Sequence, residues 1–172
     1  MRFYEHIAVG FAANAALFWI LSKTGFFSLQ FFQNTPLALT FLLAIALFSL
    51  LPDVDSLNSF ASKLFQLALL AFAAASVIEF SSVKSVVPLA KAVFALLLLV
   101  GHFLYAKSGR MHRQFPHTFA FGALACAAAF MLTGSKTVAL ASAVAFASHL
   151  AADGHLLAAL KQDASLLFRK GF

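Results

Sequence analysis

A chain of 172 residues that is 62% hydrophobic and 10% charged, with a mean hydropathy of +0.92, has too little polar surface to be an ordinary water-soluble domain. It reads as one integral-membrane helical domain over 1–172. The formal charge of +6 comes from twelve Lys and Arg scattered singly between apolar segments, so it lacks the basic stripe of a nucleic-acid surface and no direct nucleic-acid partner is expected. Membrane lipids are the expected surroundings.

Apolar windows fall near 7–21, 36–51, 64–80, 86–106, 118–133 and 138–153, which predicts an all-α polytopic bundle of about six spans. Several windows are shorter than the roughly 20 residues that a bilayer of about 30 Å requires. Polar motifs dipping below the headgroups, or a tight hairpin at Gly134-Ser135-Lys136, would account for that. Pro88 predicts that the fourth helix starts near Leu89, with Lys91 reaching for the interface. Phe26-Phe27 and Phe31-Phe32 suggest lipid contacts or an interfacial turn. Asn14 is expected to bond a neighbouring helix, and Cys126, the single cysteine, excludes an internal disulfide.

If all six segments cross, both termini, the 52–63 connection, the 107–117 connection and the end of the sixth span share one face. That face collects Arg2, Lys63, Lys107, Arg110, Arg113, Lys161, Arg169 and Lys170, against Lys23, Lys84, Lys91 and Lys136 on the other. The positive-inside rule then puts the termini and the polar motifs in the cytoplasm.

Three of the six carboxylates lie in two short motifs at the edges of apolar runs, where an ionised side chain costs several kcal/mol unless it is used. In Leu51-Pro52-Asp53-Val54-Asp55 two acids could bridge metal ions, or one could bind while Asp55 orients water. The plainer alternative is a helix cap from Asp55 or Ser56. His149 and Asp153 stand one helical turn apart and can present an imidazole and a carboxylate to one ion, or simply bond each other. The 107–117 segment offers His112, His117 and Arg113. Neutral imidazoles suit a metal, and the guanidinium suits an anionic phosphoryl oxygen. His102 reads as packing or as a partner to a ligand, and His155 as interfacial or as a substitute ligand.

The ordered set of His6, Leu51-Pro52-Asp53-Val54-Asp55, His112-Arg113 with His117-Thr118, and Ser148-His149 with Asp153 resembles the YdjM-like family of inner-membrane proteins, described as metal-dependent hydrolases. The likeness runs from the N-terminus to about residue 155. Ser56 stands where that family often has His, and Gln114-Phe115-Pro116 replaces its Gly-x-Thr. The resemblance implies divalent ions, zinc foremost with manganese or iron as substitutes. Asp53, Asp55, His149 and Asp153 would hold them, completed by His6, His112 or His117. Ligand spacing of the same kind occurs in zinc-dependent phospholipase C and related nucleases. It implies hydrolysis of a lipid or other amphiphilic phosphoester, with Asp55, Arg113 and His117 as catalytic residues. The competing reading is a metal-stabilised scaffold that binds a regulator. A transporter ranks third, because transport sites tend to sit at the midplane.

Overall fold

The computed structural model describes residues 2–54, 57–108 and 115–168. Among them every predicted apolar window is a helix: α1 Phe3–Lys23, α2 Thr35–Phe48, α3 Phe60–Val83, α4 Val86–Ser108, α5 Phe119–Thr133 and α6 Lys136–Ala152. A further helix, α7 Leu156–Phe168, lies where the sequence reading placed none. Of the described helices, α1, α3 and α4 are long and apolar enough to cross a membrane. The short helices α2 and α5 are apolar but fall below that length, and α6 joins α7 through a bend of 107°. Among the described residues the chain is therefore all-helical, with three helices long and apolar enough to cross a membrane, or four if α6 and α7 form one broken span, against the six spans expected.

Local chemistry sets the helix ends. Asn34, Ser59, Thr118 and Ser135 cap α2, α3, α5 and α6 with side-chain oxygens that accept from Leu37, Ser62, Phe121 and Val138 N–H groups. The cap of α3 is thus Ser59, not Asp55 or Ser56. Left-handed Gly134 closes α5 and delivers the expected hairpin into α6. α4 starts at Val86, earlier than Leu89, because a proline in the first turn forfeits no helical hydrogen bond.

Backbone contacts group the chain into two compact units. The first comprises Met1–Pro52 with Gln114–Phe172. Its centre is α6, packed against α1, α2, α5 and α7. Ala141, Ser142 and Ala145 are wholly buried, and side chains this small let neighbouring backbones approach closely. Asn14 donates from Nδ2 to Gly10 O at 3.0 Å and to Ala141 O at 3.3 Å, the interhelical bond anticipated for it. Phe18, Phe27, Phe31, Phe32 and Phe41 interlock edge to face around a 3-10 turn at Leu29–Gln33. Part of the phenylalanine run is therefore internal packing.

The second unit, Asp53–Arg113, pairs α3 with α4 through a reversal at left-handed Lys84. Ser62 at the start of α3 meets His102 near the end of α4, Oγ to Nε2 at 2.8 Å, so these helices run antiparallel. His102 is accounted for as a buried packing partner. Ile78, Leu97 and Leu104 are exposed, as side chains bordering lipid would be.

Candidate metal centre

Helix directions in the first unit bring four polar positions to one end. α1 runs antiparallel to α6, so that His6 meets His149 while Asn14 meets Ala141. α2 delivers Ser49 to the same level, and the turn before α5 delivers His117. His6, His117, His149 and Asp153 are therefore brought together within this unit.

His149 is fully buried, and its Nδ1 donates to Ser49 O at 2.6 Å. A carbonyl oxygen can only accept, so the proton sits on Nδ1 and the Nε2 lone pair points away from it. Nε2 lies 3.2 Å from Asp153 Oδ2. The neutral tautomer thus sets a lone pair against a carboxylate oxygen, a repulsive arrangement unless a cation or a second ring proton lies between them. On the other carboxylate oxygen, His6 Nε2 stands 3.5 Å from Oδ1. The His6 and His149 rings stack at 4.0 Å with 19° between planes. Two imidazolium rings stacked so closely in a buried site would repel, whereas one shared metal ion would satisfy both nitrogens and the carboxylate together.

The distances fit that answer. Ligands on a tetrahedral ion with bonds of about 2.1 Å stand about 3.4 Å apart. His6, His149 and Asp153 form one group whose ligand atoms all lie within 4.8 Å of one another. The bond from His149 to a backbone carbonyl is also the partner that metal-binding histidines ordinarily have. His6 Nδ1 is buried and has no hydrogen-bond partner among the described residues.

On the more exposed side of Asp153, His117 and His155 approach with ring centroids 5.4 Å apart and planes at 78°. With Asp153 they form a second group of the same compactness. His155 had been read as interfacial. It is indeed exposed, and left-handed Gly154 turns it back toward Asp153, so the alternative of a substitute ligand also has a geometric basis. The signal was there in the Asp-Gly-His order.

Asp53 ends the 3-10 turn Leu51–Asp53 and opens the second unit, where its carbonyl accepts from Ser59 Oγ at 3.1 Å. Asp55, His112 and Arg113 lie outside the described residues.

One further carboxylate orders the rim. Asp163 on α7 accepts from Phe119 N at 2.8 Å and Ala120 N at 3.3 Å, capping α5 from another helix. Negative charge at a helix N-terminus is favourable, and losing such an acceptor costs about 1 kcal/mol. Asp163→Ala is expected to lower thermal stability in detergent by a few degrees and to speed proteolysis within α7. Unchanged cleavage would mean that this contact does not hold the helix.

The match to known families lies where these residues lie. The family of YdjM inner membrane proteins matches residues 1–158. The chain belongs to that family. No curated protein and no solved structure gave a match. The YdjM match spans His6, Asp53, His117, His149, Asp153 and His155 and stops within α7, so Asp163 lies beyond it.

Proposed function

We propose that the protein is a membrane-embedded, metal-dependent hydrolase that cleaves a phosphoester of a lipid or similarly amphiphilic substrate. The observation that carries this reading is the His149 lone pair directed at Asp153, with His6 stacked beside it. His6, His149 and Asp153 would hold a divalent ion, zinc being the best match to two imidazoles and a carboxylate, with manganese or iron as alternatives. When bound, such an ion polarises a phosphoryl oxygen and lowers the pKa of water to near neutrality.

The chain's own residues do the rest. Ser49 O fixes the His149 tautomer, and the walls of α1, α2 and α6 keep water from the inner nitrogens. Asp153 reaches the more exposed edge, where His117 lies. Arg113 is proposed to take the charge that develops on the phosphoryl group, and Asp55 to orient water. Beyond this edge, α7 carries Leu156, Leu157 and Leu160, with Leu157 72% exposed. Apolar side chains bordering a polar site suit a substrate with an acyl tail and a polar head. If six segments cross, eight of the twelve cations fall on the motif side, and on that count a cytoplasmic site is proposed.

Deep burial of His6 and His149 would equally suit a structural ion in a scaffold. The exposed edge at Asp153 and His155 favours catalysis, because a catalytic ion needs an open coordination position. The test is elemental analysis of detergent-purified protein, wild type against His149→Ala. It is paired with release of phosphate-bearing headgroup from phospholipid in mixed micelles. A stoichiometric ion lost in the variant, with headgroup release lost alongside it, is expected. An ion that binds without hydrolysis of any micellar phosphoester would install the scaffold instead, and a wild type that takes up no zinc, manganese or iron would end the metal reading.

A further inference from the structure

The geometry points to a two-ion centre bridged by Asp153: an inner ion on His6 and His149, and an outer, exchangeable ion on His117 and His155. This inference rests on the proposed metal site and adds to it a second ion and a ligand, His155.

Both groups contain Asp153, and in each the ligand atoms lie within 4.8 Å of one another. A carboxylate has about four lone-pair positions on its two oxygens, so facing His6 and His149 does not exhaust it. A bridging carboxylate between two divalent ions is the arrangement expected where two histidine pairs flank one acid.

The backbone has fixed both outer histidines in place. His117 ends the 3-10 turn Phe115–His117, which contains buried Pro116 and is tied by Thr118 N to Phe115 O at 3.1 Å. Thr118 Oγ1 adds a second bond to the same carbonyl at 2.8 Å. His155 follows Gly154 at φ 71°, and its N–H donates to Leu150 O at 2.8 Å while its carbonyl starts α7. The corner between α6 and α7 therefore carries Asp153 and His155 together on backbone already held by hydrogen bonds. Ligands held ready in this way bind without a large entropic cost.

Exposure separates the two sites. His6 and His149 are 2% and 0% exposed, whereas His117 and Asp153 are half-buried and His155 is exposed. An outer ion on three protein ligands keeps room for a water or a phosphoryl oxygen. It is also the ion that a chelator can reach.

The experiment loads full-length protein in detergent with zinc, removes the excess, and counts zinc per chain before and after a brief chelator pulse. Wild type is expected to hold two ions and to keep one after the pulse. His155→Ala and His117→Ala are expected to hold one ion each, resistant to the pulse. Because His155 is exposed, its replacement leaves the fold intact, which the melting curve of the variant will verify. One ion in both wild type and His155→Ala, absent in His149→Ala, would overturn the outer ion while leaving the inner one standing. Two ions in both would remove His155 from the ligand set. Zinc in none of them would overturn the outer ion together with the proposed function.

Discussion

Asp153→Ala is expected to bring bound metal close to zero and to lower hydrolysis by roughly 10³-fold or more. Asp153 faces His6 at 3.5 Å and His149 at 3.2 Å and also belongs to the His117 and His155 group, so one substitution removes the carboxylate from both. Charge stabilisation by a catalytic ion is worth several kcal/mol, and about 4 kcal/mol corresponds to about 10³ in rate. Asp153→Asn is the sharper variant, because it keeps the shape and one oxygen while losing the charge. Elemental analysis and headgroup release, measured on the same preparations, check both effects. Metal retained at full stoichiometry in Asp153→Asn and Asp153→Ala would show that the ligands lie elsewhere.

Gly10→Val should be the most disruptive single change remote from the ligand atoms. Any Cβ built at Gly10 runs into Ser49 Oγ, and Ser49 is fully buried with its hydroxyl bonded to Ile45 O at 2.7 Å. Overpacking of this kind costs about 1–3 kcal/mol, which lowers the melting temperature of a chain this size by roughly 2–12 °C. The same serine supplies the carbonyl that orients His149, and disturbing such a partner typically lowers metal affinity about 10–100-fold. Thermal melting and zinc titration of detergent-purified protein measure the two effects. Gly10→Ala should do less harm, and combining it with Ser49→Ala should restore much of the loss, since the hydroxyl is the nearest obstacle. No recovery in the pair would place the strain in the backbone.

Much of this arrangement was legible beforehand. Helix positions followed from apolar windows because a membrane-embedded chain must satisfy its backbone internally, which makes each long apolar run a helix. The hairpin at Gly134-Ser135 followed from its turn chemistry, and the His149 to Asp153 pair from the pitch of a helix. Span number was harder to read. Apolar content alone does not fix helix length, and α2 and α5, though apolar, are shorter than the helices long enough to cross. α7 was overlooked because Lys161, Gln162 and Asp163 interrupt its leucines. Those leucines do not pack inward either: Ala159 is buried while Leu157 and Leu160 are exposed. The stacking of His6 on His149 and the bond to Ser49 depend on helix rotation, which spacing within one segment does not encode. His155 depends on one left-handed glycine.

The histidines that α1 and α6 bring together, His6 and His149, lie most of the chain's length apart, and this governs the order of assembly. A ribosome releases His6 early and His149 late, so the two histidines proposed to share an ion cannot meet until α6 has emerged and docked against α1. Contacts of such long sequence separation form late and slowly. If the proposed ion binds, its uptake would report on finished folding: a chain stalled or truncated before α6 is not expected to load, and an ion bound afterwards would hold α1 and α6 together against unfolding.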